Sequence, residues 1–190
     1  MTVHASTIVE LAEMRAFLNI TDSTMTDKDT LIESLLDAYN DMIEDYLGVP
    51  CINSTYTAEK YDGDGTDTLF LKRYPIVSVT SLTLDAAVMA AADYLIYADK
   101  GFIRYDNGIF TKDYQNISIT YVAGHGAART NVSNVLKLAL KTWVARVYKA
   151  EIVDFSQRFD ESSLANIKSQ MMPWDVKQML EPYTCRRWGR

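Results

Sequence analysis

The segment Ile76-Val-Ser-Val-Thr-Ser-Leu-Thr-Leu84 alternates apolar and polar side chains and is rich in β-branched residues. This pattern is typical of a strand with one buried face. Strands of the same kind are predicted on both sides of it, at Tyr56–Tyr61, Thr68–Leu71, Tyr94–Tyr97, Phe102–Tyr105 and Asn116–Val122. Turns rich in Gly, Asn and Asp separate these strands, so residues 55–123 are expected to form an antiparallel β meander or hairpin region.

Helical patterns flank the strands. Apolar residues recur at i, i+3 and i+4 from Leu31 to Leu47, and again from Val132 to Val147. Capping boxes at Thr7–Glu10 and Thr26–Asp29 are predicted to begin the two N-terminal helices. The sequence therefore indicates an α+β fold, mainly an α-helical bundle with an inserted antiparallel β region and a mobile C-terminal tail.

The chain of 190 residues is expected to form a single domain. Its predicted parts are acidic N-terminal helices over 1–50, the β insertion over 55–123, a long helix over 130–152, a loop over 153–172, and a short helix with the C-terminal tail over 173–190. In the short helix, the apolar side chains after Pro173 are Trp174, Val176, Met179 and Leu180.

Charge is distributed unevenly along the chain. The formal net charge is -6, but residues 1–67 carry a net of -11, residues 68–128 are neutral, and residues 129–190 carry +5. The helix over Leu31–Leu47 has a nearly pure acidic outer face, which includes Asp37, Asp41, Glu44 and Asp45. A small DNA-binding protein is disfavoured by this balance, because non-specific affinity depends on clustered Lys and Arg.

Several other classes are excluded by simple counts. No apolar run reaches the roughly 18–20 residues that a membrane helix needs, and no secretory signal is expected at the start. Cys51 and Cys185 could form at most one bridge. No motif for a nucleophile, a zinc site or a phosphate loop is complete, so neither an enzyme nor a cofactor is expected.

Asp62, Asp64 and Asp67 are the best candidates for a metal site, since hard cations prefer clustered carboxylates. The spacing does not fit an EF-hand, and Asp62-Gly-Asp-Gly65 is also typical of a tight turn. A metal-dependent nuclease or phosphodiesterase built on these residues, with Glu59 and Lys60 nearby, remains the alternative function. Gly124-His125-Gly126 is interpreted as a strand-to-helix turn that needs small residues.

The C-terminal tail is basic and aromatic, with Arg186, Arg187 and Arg190 around Trp188. Guanidinium groups and an indole could bind phosphates, or they could dock into an acidic, partly apolar pocket of a protein. Docking is favoured, because an exposed tryptophan in a tail has no packing role.

Several segments in order resemble the head-tail connector family of tailed bacteriophages, also called adaptor or head-completion proteins. They are Tyr61-Asp-Gly-Asp-Gly65, Leu69-Phe-Leu71, Tyr74 to Asp85, Asp93-Tyr94, Gly101-Phe-Ile-Arg104, Ile119 to Gly126 and Pro173 to Tyr183, preceded by acidic helices that end in Leu47-Gly-Val-Pro50. The resemblance covers most of the chain. Residues 155–172 match nothing in particular, and His125 stands where an aromatic is common.

The resemblance implies a structural virion protein without a cofactor, made in the cytoplasm of a bacterial host and located in the capsid neck. Its expected partners are the portal protein, further copies of itself in a ring that is usually a dodecamer, and a stopper or other tail component. DNA would pass through the ring without sequence-specific binding. Tyr183, Arg186, Arg187 and Trp188 would form the portal-docking tail, and Asp37, Asp41, Glu44 and Asp45 would face the lumen or a neighbouring subunit.

Overall fold

The computed structural model describes residues 3–21, 26–155 and 172–185, with the backbone alone at 26–27 and 150–155. The chain divides into two compact units. The helical unit is built from Met1–Cys51 and Ala128–Arg186, and the β unit is built on Ile52–Ala127. The prediction of an α+β fold is confirmed. The β region forms a unit of its own with two sheets, so the fold is not clearly a helical bundle with a minor insertion.

The helical unit contains α1 (Leu11–Leu18), α2 (Thr26–Leu47), α3 (Asn134–Phe155) and α4 (Trp174–Leu180), followed by a 3-10 turn at Glu181–Tyr183. The apolar faces of α2 and α3 meet, and the rings of Tyr39 and Trp143 pack edge to face with their centroids 4.6 Å apart. This contact is central to the core, because Trp143 is fully buried. No helix in the described part of the chain is both long and apolar enough to span a bilayer.

The β unit contains seven strands: β1 (Ser54–Gly63), β2 (Thr68–Phe70), β3 (Ile76–Leu84), β4 (Ala87–Val88), β5 (Tyr94–Tyr97), β6 (Phe102–Tyr105) and β7 (Asp113–Ala123). One sheet has the order β1-β7-β3-β4 and the other has the order β2-β6-β5, and every pairing is antiparallel. The six predicted strands are all present. They do not form one meander, because β7 returns to lie between β1 and β3.

The core of the larger sheet is set by the alternation along β7. Ile117, Ile119, Tyr121 and Ala123 are all fully buried, while the residues between them are half-buried. The registers pair Leu82 of β3 with Ile119 and Tyr56 of β1 with Tyr121. Because β7 lies between β1 and β3, its buried side chains contact those of both neighbours. The alternation along β7 therefore fixes the register of the larger sheet.

Some predicted boundaries were wrong. The helix α1 begins at Leu11 with Glu10 as its N-cap, so the capping box predicted at Thr7 is absent, and the Thr7 hydroxyl donates to Asp37 at 2.5 Å. The helix α3 continues to Phe155, through the first residues of the predicted loop. The remainder of that loop, residues 156–171, lies outside the described residues, as does the predicted mobile tail from 186 onward.

Candidate functional site

The segment that leads into the C-terminal tail is anchored on the helical unit. Val176 and Leu180 of α4 are fully buried, and the Cys185 N–H donates to the Leu47 carbonyl at 2.9 Å. The Lys177 ammonium lies 5.9 Å from the centre of the Tyr46 ring. The chain therefore leaves the described structure at Cys185 from a fixed point near the end of α2.

Tyr183 is part of this anchor. Its hydroxyl lies 2.9 Å from the Ser133 hydroxyl, just before α3 begins, and its ring is only half-buried. Arg186, Arg187 and Trp188, the other three residues of the predicted docking tail, lie outside the described residues. Among the four residues predicted to form the docking tail, Tyr183 is therefore described and contacts a residue of its own subunit.

An exposed aromatic lies next to the anchor. Trp174 begins α4 and is 75% exposed, whereas Val176 and Leu180 of the same helix are fully buried. The carboxylate of the next residue, Asp175, accepts a hydrogen bond from Arg146 of α3. This ion pair holds the start of α4 against α3 and leaves the indole on the surface.

The acidic face of α2 is divided between internal and exposed carboxylates. Asp37 accepts hydrogen bonds from the Thr7 hydroxyl and from the His4 N–H, and Glu44 accepts one from the Cys51 N–H at 2.9 Å. Asp41 and Asp45 are exposed. Further along the predicted face, Glu33 is buried and Asp29 pairs with Arg15 at 3.1 Å. The uniform acidic stripe expected from periodicity is therefore reduced to a shorter exposed stretch.

Glu44 has a structural role at the end of α2. Burial raises the pKa of its carboxyl above the ordinary value, the hydrogen bonds from Cys51 and Asn40 lower it, and the charges of Asp41 and Asp45 raise it further, with a net increase. The Cys51 thiol is fully buried, and burial together with the Glu44 charge raises its pKa to about 12. The thiol is therefore protonated and unreactive at neutral pH.

The aspartate cluster is a turn with separate local bonds. Asp62 accepts from the Gln115 N–H, Asp64 accepts from the N–H and hydroxyl of Thr66, and Asp67 accepts from Arg104 at 2.9 Å. Across residues 3–21, 26–155 and 172–185, no three His, Cys, Asp or Glu side chains converge as a metal would require. The turn interpretation of Asp62-Gly-Asp-Gly65 is favoured over the metal-dependent nuclease.

Glu59, which the nuclease alternative also used, is the centre of a hydrogen-bonded cluster in the β unit. Its carboxylate accepts from the hydroxyls of Tyr61 and Tyr121, both at 2.8 Å, and from the Arg73 guanidinium at 2.9 Å. Arg73 also lies over the Tyr56 ring, 4.3 Å from its centre. The contacts join β1, β7 and the loop before β3. Sequence reasoning missed this cluster, because its members come from distant segments.

The protonation states in this cluster follow from its contacts. Burial alone would raise the pKa of Glu59, but the hydrogen bonds from Tyr61, Tyr121 and Arg73 outweigh it and hold the pKa below the ordinary value. Burial, together with bonds to the carboxylate, raises the pKa of Tyr121 to about 12. The carboxylate is charged and both hydroxyls are neutral at pH 7, so the cluster suits a structural role better than proton transfer.

The turn after β7 needs its first glycine. A Cβ at Gly124 would lie 2.6 Å from the Asn53 Cα and 2.8 Å from the Asn53 nitrogen, and the φ angle there is +153°. The Asn53 N–H donates to the Gly126 carbonyl at 2.9 Å across the same turn. Small residues are required by this close approach of two backbones, as the sequence predicted, and phosphate binding is not needed to explain them.

Taken together, the fold and these surfaces define a structural protein whose polar clusters hold its own segments together. Comparison with known protein families identifies the family of this structural protein. The chain matches the head completion protein family over residues 7–186, and it belongs to that family. The family is one of structural virion proteins, so the chain is a structural protein and not an enzyme.

Three solved structures share the fold. A chain in the neck of an empty gene transfer agent particle, computed with C6 symmetry, is 21% identical with a TM-score of 0.67. A chain in the virion of a native gene transfer agent particle is 22% identical with a TM-score of 0.58, and one in the neck of the native particle, computed with C12 symmetry, is 21% identical with a TM-score of 0.57. Each comparison covers 100% of this chain and 97% of the other. Curated proteins gave no match.

Proposed function

We propose that this chain is a subunit of a ring-shaped head-tail connector, which binds beneath the portal and links the DNA-filled capsid to the tail. The observation that supports this most is the family match across residues 7–186, joined to a common fold with neck chains over the whole length of the protein. The neck of one such particle was computed with C12 symmetry, in keeping with a dodecamer. The chain would act in the virion neck as one adaptor domain, with the helical unit carrying the β insertion.

The portal contact is assigned to the C-terminal tail, with Arg186, Arg187 and Trp188 as the binding residues and Tyr183 at its base. The anchor described above supports this assignment, because Cys185 is hydrogen-bonded to Leu47 and the five following residues start from a fixed position. Arginine and tryptophan are the side chains most often found at the centre of protein interfaces. A stopper or another tail component would bind a different surface of the same ring.

DNA would pass through the centre of the ring without being held. A net charge of -6 gives phosphates little to bind, because affinity for DNA comes from the release of counterions by clustered basic side chains. Among the four acidic residues predicted for this face, Asp41 and Asp45 are exposed and able to act outside their own subunit. Asp37 and Glu44 are engaged internally and would contribute charge only.

The tail assignment can be tested by removing residues 186–190 while keeping Cys185, whose N–H is part of the anchor. The truncated protein should keep its circular dichroism spectrum and the fluorescence of the buried Trp143, yet it should no longer be captured by portal rings. Trp174→Ala is the matched control, since it removes an exposed indole from α4 and leaves residues 186–190 in place. Unchanged capture of the truncated protein would refute the assignment.

The connector itself is tested by electron microscopy of the full-length protein mixed with its portal. A collar of density at one end of the portal is the expected result. A monomer in free solution is compatible with assembly on the portal, so the mixture must be examined. Absence of a collar at saturating concentration would contradict the connector function.

A further inference from the structure

A groove of about 480 Å³ lies on the helical unit between α1 and α3. Two apolar side chains line it, Phe17 of α1 and Leu138 of α3, and they are 46% and 43% exposed. Val135, one turn before Leu138, is also 41% exposed. Exposed apolar side chains that cluster in a groove rimmed by polar residues are typical of a surface that binds another protein.

The rim of this groove is basic. Lys137 and Lys141 line it together with Glu13, which lies 3.9 Å from the first ammonium and 3.0 Å from the second. Two cations and one anion leave a formal excess of one positive charge. The lysine side chains are only 13% and 20% exposed, so they are already held in place. A partner that binds them would lose less side-chain entropy than one that binds freely moving lysines.

The same unit carries a surface of opposite character on α2. Its exposed stripe consists of Ser34, Ala38, Asp41, Met42 and Asp45. Met42 is 45% exposed and lies beside the two exposed carboxylates on the helix surface, with small side chains one and two turns before it. Methionine adapts its shape to irregular apolar pockets, so an exposed methionine suits contact with a partner.

The two surfaces match in spacing. Asp41 and Asp45 are four residues apart on α2, and Lys137 and Lys141 are four residues apart on α3. Four residues of helix correspond to a rise of about 6 Å, so both carboxylates could meet both ammonium groups at once. Met42 lies to one side of the carboxylate pair, just as Leu138 lies to one side of the lysine pair, so it could enter the apolar groove when the charges meet.

We propose that the groove between α1 and α3 binds the exposed α2 stripe of a second copy of this chain. Met42 inserts between Phe17 and Leu138 of the neighbour, and Asp41 and Asp45 pair with its Lys137 and Lys141. This inference rests on the proposed ring and names its subunit contact. Because stripe and groove are different surfaces, the contact is head-to-tail and repeats from subunit to subunit, as a closed ring requires.

The same observations decide how the acidic stripe is used. A lumen that only repels DNA needs charge, and an exposed methionine adds nothing to that repulsion. An exposed apolar side chain beside two carboxylates instead resembles part of a protein interface, where an apolar centre adjoins a charged rim. We therefore assign Asp41 and Asp45 to the contact between subunits, and the lumen to other surfaces.

Cysteine cross-linking tests the contact directly. Met42→Cys and Leu138→Cys are introduced together in a Cys185→Ser background, where the remaining Cys51 is buried. The full-length variant is mixed with portal and oxidised mildly. We expect a ladder of covalent oligomers larger than dimers, whereas either cysteine alone should give no ladder. Met42→Cys combined with Tyr114→Cys, an 82% exposed site on the β unit, is the matched control.

Charge reversal gives an independent test. Asp41→Lys with Asp45→Lys should abolish the collar on the portal, and Lys137→Glu with Lys141→Glu should do the same. The four changes combined should restore the collar. Thermal melting checks the fold, since Lys141 also pairs with Glu13.

The failure of this inference is distinguishable from the failure of the connector function. If the wild-type protein forms a collar but the double-cysteine variant gives no more ladder than its control, the contact is wrong and the connector stands. If the wild-type protein forms no collar, the connector function itself fails. A collar that survives either charge reversal unchanged also overturns the contact.

Discussion

Replacing Glu59 should destabilise the β unit more than replacing any exposed acid of that unit. Its carboxylate accepts three hydrogen bonds, two from tyrosine hydroxyls and one from Arg73, and its side chain is only 17% exposed. Glu59→Ala removes all three bonds at once. It leaves the Tyr61 and Tyr121 hydroxyls and the Arg73 guanidinium without the group around which they are arranged.

The expected loss follows from these contacts. A hydrogen bond to a charged group contributes roughly 1.5–3 kcal/mol, and removal of one partner of a buried ion pair costs about 3–5 kcal/mol. Arg73 is 34% exposed, so water replaces part of what it loses. We therefore expect Glu59→Ala to lower the free energy of unfolding by about 2–4 kcal/mol. Glu59→Gln keeps an acceptor for one hydroxyl and should cost about half as much, because neutral hydrogen bonds are weaker.

The decrease in the free energy of unfolding at acid pH gives a second measure of the contribution of Glu59. The folded pKa of Glu59 is lowered, so its stabilisation is present above the unfolded value near 4.5 and is lost as pH falls through the folded pKa. As pH falls from 7 into this acid range, Glu59→Gln should therefore lose less stability than the wild-type protein, because the variant lacks the Glu59 contribution.

Urea unfolding followed by the tyrosine signal in near-UV circular dichroism measures these changes, since all the contacts lie in the β unit. Hydrogen exchange in peptides from β1 and β7 locates them. Asp106→Ala removes an exposed carboxylate of the same unit and should stay within about 0.5 kcal/mol of the wild type. A loss below about 1 kcal/mol for Glu59→Ala would show that the cluster is not a structural centre.

Two further substitutions test Glu44 and Gly124. The folded pKa of Glu44 is raised, so its protonated form adds stability that is present below the unfolded value near 4.5 and lost as pH rises through the folded pKa. Glu44→Gln keeps the acceptor for the Cys51 N–H. We therefore expect this variant to have a higher thermal midpoint than the wild type at pH 7 but not at pH 3. Gly124→Ala should cost about 2–3 kcal/mol in urea unfolding, because its Cβ would meet the Asn53 backbone at 2.6 Å. Gly65→Ala, also at positive φ but with its nearest neighbour 3.7 Å away, should cost at least about 1 kcal/mol less, and equal losses would contradict the close-approach argument.

The elements of this fold could be predicted from the sequence, but their pairing could not. Alternation over Ile76–Leu84 and over Asn116–Val122 is a local signal. The first segment is a strand at the predicted bounds, and the second lies within the longer strand Asp113–Ala123. The pairing of β1 with β7 joins Ser54 to Ala123, and nothing in the local pattern of either strand specifies the other. The motif at Thr7 is likewise local, and it could not show that the Thr7 hydroxyl donates to Asp37, 30 residues away.

The candidate site was predictable to a similar degree. Helical periodicity correctly placed Asp41 and Asp45 on an exposed face of α2. It could not show that Asp37 and Glu44 bind backbone and hydroxyl groups of neighbouring segments, since those partners become neighbours only after folding. The spacing of the apolar residues after Pro173 likewise does not reveal which of them the packed helix covers, since Trp174 is 75% exposed and Val176 is fully buried.

The unequal distribution of charge along the chain allows ion pairs to form within the subunit. Acids of the N-terminal segment pair with bases from the C-terminal part, as Glu10 does with Arg129 and Glu13 with Lys141, both at 3.0 Å. Such pairs on a surface contribute little stability each, but they favour the correct association of segments that are more than a hundred residues apart. Asp41 and Asp45 remain exposed after this internal pairing, and the exposed Met42 lies beside them on the helix surface. A carboxylate pair next to an exposed apolar side chain fits a protein contact better than a DNA channel, and this residue pattern, rather than the net charge, supports the assignment of α2 to the subunit interface.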